Sequence, residues 1–132
     1  MTRARPARRP VLLYDAECRL CRWTARVTVA LDRREELAVL PLGDPAAGPL
    51  LASLPEDERS ASWRLARAGG LLAGEGRGVP ELLRVLQLTR PLGRLLGLVP
   101  PRALDAAYRL VARNRSRLGR LVPDGPAPQR FP

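Results

Sequence analysis

Two cysteines, Cys18 and Cys21, are the only thiols in the chain, and they form a Cys-x-x-Cys motif. The apolar residues 11–14 before them predict a short strand, and residues 18–31 predict a helix that begins at the motif. Two intervening residues bring the sulfurs within reach of each other across one helical turn, and the free N–H groups of that turn favour a thiolate. We therefore expect Cys18 to attack a disulfide and Cys21 to resolve the mixed disulfide.

Other interpretations of the cysteine pair stay open at this stage. A zinc site would need further ligands, from a second copy of the chain or from Asp15 and Glu17, because the sequence contains no histidine. The pair could also be a redox sensor or an inert pair in a non-catalytic binding module. We expect no metal and no cofactor.

Charged residues surround the motif. Asp15 has two interpretations of equal weight: it caps the helix by accepting N–H groups of the first turn, or it takes the proton of Cys21 as a general base. Arg19 and Arg22 flank the thiols and favour a thiolate, and Glu17 opposes them. The two arginines can equally be solvated surface residues of the helix.

The net charge of +10 is carried mainly by the two ends of the chain. All 23 basic residues are arginine, and four of them lie in residues 1–10 without an acid. A GC-rich coding bias would produce this composition. Charge alone gives only unspecific, salt-sensitive attraction to nucleic acid. A basic adaptor that binds nucleic acid is therefore an alternative that we do not favour.

The 132 residues are enough for one domain with a core of its own. We expect a disordered basic arm over residues 1–10, a single domain over residues 11–121 and a flexible tail over residues 122–132. No apolar run is long enough for a membrane span or a signal peptide. We expect a cytoplasmic protein without membrane insertion, in which a lone cysteine pair is more often catalytic or metal-binding than a structural bridge.

The alternation of apolar and polar residues predicts an α/β order for the domain. A second strand follows at residues 37–42, and this strand–helix–strand unit makes the two strands parallel. Asp44 and Pro45 predict the start of a short helix. A hairpin is expected over residues 62–68 and 71–73, with Gly69 and Gly70 as its turn.

Helices are expected over residues 79–89, 91–99 and 101–118. The first helix of the chain has an apolar stripe expected to be buried, which includes Trp23, and the last has one formed by Leu104, Ala107, Tyr108, Val111 and Ala112. The order of strand, helix, strand, helix, hairpin and helix is that of a thioredoxin fold. Thioredoxin-like enzymes usually place a cis-proline just before the third strand, and this chain has no proline at residues 59–61. We therefore expect its substrate-docking surface to differ from that of thioredoxin.

Two separated motifs stand out in the chain. The first is YDAECRLC, with Tyr14, Asp15 and both cysteines, and the second is YRLVARNRSR, which contains Arg113, Asn114 and Arg115. Together they resemble the DCC family of thiol-disulfide oxidoreductases, also called the domain of unknown function 393. The resemblance covers residues 11–121 and implies a thioredoxin-like fold, here with a helical extension at the C-terminus, and a dithiol activity.

The residues expected to catalyse are Cys18, Cys21 and Asp15. Those expected to bind the substrate or to tune the thiols are Tyr14, Arg19, Arg22, Arg113, Asn114 and Arg115. The basic cluster at 113–115 could bind an anionic substrate or hold the added helix against the active-site edge. The substrate would be a protein or small-molecule disulfide or thiol, and the electron donor is open.

Overall fold

A computed structural model describes residues 9–52, 54–59, 62–67, 72–74 and 76–130. Most of the basic arm, the turn residues Gly69 and Gly70, and two of the three positions examined for a cis-proline lie outside these ranges. The chain folds as a mixed α/β structure with one small sheet and six α-helices within the described residues.

The sheet has four strands in the order β2-β1-β3-β4. The strands are β1 (Val11–Tyr14), β2 (Ala38–Pro41), β3 (Arg64–Ala66) and β4 (Leu72–Gly74). As expected, β1 and β2 are parallel neighbours, while β3 is antiparallel to both β1 and β4. This arrangement is consistent with the thioredoxin-like fold that the resemblance implies.

The α-helices are α1 (Arg19–Leu31), α2 (Gly48–Leu51), α3 (Val79–Val85), α4 (Arg90–Leu96), α5 (Pro101–Arg113) and α6 (Arg115–Gly119). The long C-terminal helix expected over residues 101–118 is in fact two, because the backbone of Asn114 leaves helical geometry. The Asn114 side chain donates a hydrogen bond to the carbonyl of Leu110 at 2.8 Å, a local bond that competes with regular helix. The break turns α6 towards the start of α1.

Apolar side chains cover both faces of the sheet, as the period of two along a strand requires. Val11 and Leu13 belong to the cluster packed under α2, whereas Leu12 and Tyr14 belong to the cluster on the other face, which also contains Ala25 of α1. The thiols and the helices α3 and α5 lie on the side of this second cluster. That side carries the candidate site.

The buried face of α1 differs from the expected one. Its fully buried residues are Ala25 and Thr28, while Trp23 is half-buried and Val27 is 36% exposed. Leu31 at the end of the apolar stripe packs against the core, whereas Leu20, Trp23 and Val27 line an open cavity between α1 and α5. The expectation that Trp23 lies in the closed core is therefore wrong.

Two contacts fix α5 over the sheet. The carboxylate of Asp105, which is 7% exposed, accepts hydrogen bonds from the amide and guanidinium of Arg77 at 2.9 and 2.7 Å. Beside them, a Cβ on Gly76 would lie 1.7 Å from the carbonyl oxygen of Leu104. Only glycine allows this approach of the two backbones.

Residues 122–130 form no helix and run back along α1. Three arginines one or two turns apart on α1 donate hydrogen bonds to this segment at 2.8 to 3.2 Å: Arg19, Arg22 and Arg26. Arg130 forms an antiparallel bridge with Val39 and an ion pair with the fully buried carboxylate of Asp32. The segment expected to be a flexible tail thus has specific contacts with the domain.

Candidate active site

The cysteine pair lies where β1 passes into α1. Cys18 is the N-cap residue of α1, with an extended backbone, and Cys21 lies one turn into the helix. The amide of Cys21 donates a hydrogen bond to the Sγ of Cys18 at 3.3 Å. Both cysteines are free thiols and half-buried. The first sulfur therefore occupies the position where helix N–H groups favour negative charge.

The two thiols differ in their surroundings. Burial, together with the hydrogen bond and negative charge of Cys18, raises the pKa of Cys21 from its ordinary value of 9.0 to about 12. Cys21 lines the apolar cavity, and Cys18 does not. At neutral pH Cys21 is therefore a thiol, and the geometry favours Cys18 as the residue that carries charge.

Arg115 is the member of the basic cluster that reaches the thiols. Burial disfavours its charge, but the hydrogen bond to Cys21 and the charges of both sulfurs outweigh burial, so the pKa of Arg115 lies above its ordinary value. Its guanidinium also lies 4.0 Å from the carboxylate of Asp15. The turn between α5 and α6 thus places a cation at the dithiol.

The other two members of the cluster do not reach the thiols. The side chain of Asn114 is bound to the carbonyl of Leu110 at the helix break. Arg113 is exposed and lines a separate cleft together with Arg109. Sequence reasoning missed Arg109, although its spacing of four residues from Arg113 places both on one face of α5.

Asp15 does not cap α1. One of its oxygens accepts the amide of Glu17 at 2.9 Å, and its main-chain carbonyl accepts the amide of Cys18 at 3.3 Å. The helix-cap interpretation is therefore wrong, since Cys18 itself is the cap. The carboxylate lines the same cavity as Cys21 and is 44% exposed. A role as proton acceptor for Cys21 stays a prediction.

Tyr14, Arg19 and Arg22 are engaged with the C-terminal segment. The hydroxyl of Tyr14 donates to the carbonyl of Pro128, and burial raises the Tyr14 pKa to about 12 although Arg22 and Arg26 oppose this. Arg19 donates to the carbonyl of Val122. These contacts give Tyr14 and Arg19 a structural role, and their use in substrate binding stays a prediction.

Arg22 also contributes to the electrostatics of the dithiol. Its guanidinium donates to the carboxylate of Asp124 and to the carbonyl of Ala16, both at 2.8 Å. The ion pair with Asp124 is the main cause that raises its pKa, and the charge of Cys18 adds to it. Arg22 is thus held by the C-terminal segment at a position where it can stabilise a thiolate.

An apolar cavity of about 550 Å³ opens beside Cys21. Its floor is the sheet face with Leu12 and Tyr14, and its walls are α1, α3 and α5. Both tryptophans, Trp23 and Trp63, line it. The predicted apolar stripe of the last helix also lines the cavity, through Leu104, Ala107, Tyr108, Val111 and Ala112. The size and lining are those of small-molecule sites.

The segment just before β3 forms part of the same cavity. Ser62 and Trp63 line it, and the Ser62 hydroxyl donates to the hydroxyl of Tyr108 on α5 at 3.3 Å. Sequence reasoning looked for a proline in this region and did not foresee that Trp63 would form the wall.

The described residues offer no cluster of three or more histidine, cysteine or acidic side chains that could hold a metal ion. None of the helices in the described ranges is long and apolar enough to cross a membrane. Both statements concern the structure alone.

Comparison with protein families gives a match over most of the chain. The model of the DCC1-like thiol-disulfide oxidoreductase family matches residues 12–121. The chain belongs to this family. Comparisons with curated proteins and with solved structures find no match. The family match covers both the cysteine motif and the α5–α6 turn, which the structure brings together at Arg115.

Proposed function

We propose that this protein is a dithiol–disulfide oxidoreductase in which Cys18 attacks and Cys21 resolves. The observation that carries the proposal is the asymmetry of the pair. Cys18 is the N-cap whose sulfur accepts the Cys21 amide, and Cys21 is held as a thiol by a pKa of about 12. The family name supports the reaction class.

The reaction begins with the thiolate of Cys18. It attacks one sulfur of the substrate disulfide, so that a Cys18–substrate disulfide forms and the second substrate sulfur leaves as a thiolate. Helix N–H groups, Arg115 and Arg22 stabilise the charge on Cys18 before the attack. The rate of such a step depends on the thiolate fraction of the attacking residue, on the leaving thiol and on access to the disulfide.

Cys21 then completes the exchange. It loses its proton and attacks the Cys18 sulfur, which releases the substrate as a thiolate and leaves the Cys18–Cys21 disulfide. In total the substrate gains two electrons and two protons, and the dithiol loses them. The carboxylate of Asp15 lines the cavity together with Cys21, and we assign it as the acceptor of the proton.

Single-cysteine variants test this order of events. With hydroxyethyl disulfide as substrate and dithiothreitol as the final reductant, wild-type protein should accelerate reduction above the rate of dithiothreitol alone, and Cys18→Ser should not. Without dithiothreitol, Cys21→Ser should accumulate a mixed disulfide at residue 18, seen by intact mass. Serine is a good N-cap, so Cys18→Ser is expected to keep α1. Trapping of the substrate on Cys21 in Cys18→Ser, as fast as trapping on Cys18 in Cys21→Ser, would contradict the proposal.

A further inference from the structure

A cleft lined by arginines lies beside the apolar cavity. It measures about 510 Å³ and is lined by Ala106, Arg109, Ala112, Arg113 and Arg115. Two of these residues, Ala112 and Arg115, also line the apolar cavity. The cleft and the cavity are therefore adjacent sites that share a wall, and the dithiol lies at that wall through Cys21 and Arg115.

The charge of the cleft is only partly balanced by neighbouring acids. In the described part of the chain, the side chains of Arg109 and Arg113 have no hydrogen-bond or ion-pair partner. Asp105 of α5 is bound by Arg77 and also interacts with the charge of Arg109, and Asp15 is 4.0 Å from Arg115. Among the described residues three arginines and no acid line the cleft, so the cleft suits a carboxylate ligand.

The apolar cavity sets the second requirement on a ligand. Its lining is almost entirely hydrocarbon and aromatic, from Leu20 and Trp23 of α1 to Leu82 and Leu83 of α3. An apolar body of a small molecule gains free energy by leaving water for such a site. A polar peptide-like disulfide gains little there.

We infer that the substrate is a small amphipathic disulfide, with an apolar body for the cavity and a carboxylate for Arg109, Arg113 and Arg115. This inference rests on the proposed function and names the substrate class of the same site. Ala112 and Arg115 line both spaces, so one molecule can occupy the two at once. Cys21 lines the cavity and its amide lies 3.3 Å from the Sγ of Cys18, so a disulfide held there lies beside the dithiol. The disulfide accepts the two electrons and two protons of the dithiol and leaves as a dithiol.

Binding is tested first with ligands that carry no sulfur. Trp23 and Trp63 are the two tryptophans of the chain and both line the cavity, so their fluorescence reports occupation. Octanoate and octanamide have the same apolar chain and differ in charge. We expect octanoate to bind saturably and roughly tenfold more tightly, as one charge-assisted hydrogen bond allows. Equal affinities, or no saturable binding of octanoate, would overturn the inference.

Turnover is tested with lipoate and lipoamide, which share one dithiolane ring and differ in the terminal charge. We expect kcat/KM to be roughly tenfold higher for lipoate. In the double variant Arg109→Ala/Arg113→Ala the ratio of kcat/KM for lipoate to that for lipoamide should fall towards one. Arg117 is an exposed arginine of α6, and in the control Arg117→Ala the ratio should be unchanged. Circular dichroism confirms that the variants fold. An unchanged ratio in the double variant would overturn the inference.

The two experiments separate this inference from the proposed function. If the protein reduces hydroxyethyl disulfide but does not prefer octanoate over octanamide or lipoate over lipoamide, the proposed function stands and the substrate class is overturned. Preferred binding of octanoate without reduction of any disulfide would overturn the oxidoreductase and the substrate class with it.

Discussion

The amide of Cys21 lies 3.3 Å from the Sγ of Cys18 and donates to it. One residue therefore supports the charge of the other while its own thiol is kept protonated by burial. This asymmetry predicts how the two cysteines react with an alkylating reagent, because the thiolate is the form that attacks such a reagent.

Iodoacetamide at neutral pH should modify Cys18 well before Cys21. A pKa of about 12 leaves Cys21 with roughly a thousandfold less thiolate than an ordinary cysteine. The reactivity of Cys21 should rise as the pH approaches that value. Peptide mass mapping of partially modified protein across a pH series measures both rates. Faster modification of Cys21 than of Cys18 at neutral pH would contradict the asymmetry.

Arg115→Gln should slow the reaction of Cys18 with iodoacetamide at neutral pH. The guanidinium interacts with both sulfurs, and a cation beside a thiol favours the reactive thiolate. Its side chain is 45% exposed, so we expect a decrease in rate of about tenfold, at the lower end for a nearby opposite charge. Intact mass of the Cys21→Ser background over the time course measures the rate.

Arg117→Gln is the matched control for Arg115, two residues further along and exposed. It should leave the rate of Cys18 alkylation unchanged. Equal effects of the two substitutions would show that general positive charge, and not the placement of Arg115, acts on the thiol.

Much of the fold follows from local sequence patterns. The run Val11–Tyr14, the Cys-x-x-Cys and the apolar period after it predict β1 and α1 from neighbouring residues alone, and the crossover through α1 then predicts a parallel β2. The break at Asn114 was missed because the apolar periodicity continues through it. The hydrogen bond from the Asn114 side chain to the carbonyl of Leu110 leaves no trace in that periodicity.

The candidate site was only partly predictable. The motif placed Cys18 and Cys21 at a helix start, and the resemblance pointed to the region of Arg115. The cavity was not foreseen. An apolar stripe on α1 predicts that this face is shielded from water, but it does not tell whether side chains fill the space between α1 and α5. Likewise Arg19 and Arg22 find partners about a hundred residues away in residues 122–124, a distance that sequence spacing does not reveal.

Gly76→Ala should destabilise the protein and disturb the cavity. A Cβ at this position would lie 1.7 Å from the carbonyl oxygen of Leu104, so α5 must move. We expect a loss of at least about 2 kcal/mol in the free energy of unfolding. Gly43→Ala is the control, because no atom lies within 4 Å of its added Cβ. Urea denaturation compares them, and equal stabilities would contradict the close approach of α5.

Asp32→Asn should also be strongly destabilising. The Asp32 carboxylate is fully buried and accepts hydrogen bonds from the amides of Glu36 and Leu37 in addition to its ion pair with Arg130. Removal of its charge leaves Arg130 without its anion, and we expect a loss of about 3 kcal/mol.

Asp57→Asn is the control for this substitution. Asp57 is exposed in the short 3₁₀-helix Glu56–Glu58, so its change should stay within about 0.5 kcal/mol. The same urea titrations measure both variants. A stability of Asp32→Asn equal to that of Asp57→Asn would show that residues 122–130 are not anchored through Arg130.

The central claim is that Cys18 and Cys21 form a reversible redox pair, and its most direct test is the reduction potential of the pair. Protein is equilibrated in thiol–disulfide buffers, free thiols are trapped, and they are counted by mass. We predict a single two-electron midpoint between about −120 and −280 mV, the range of thioredoxin-like dithiols. Two free thiols in every buffer, or zinc that copurifies with the pair, would contradict the account.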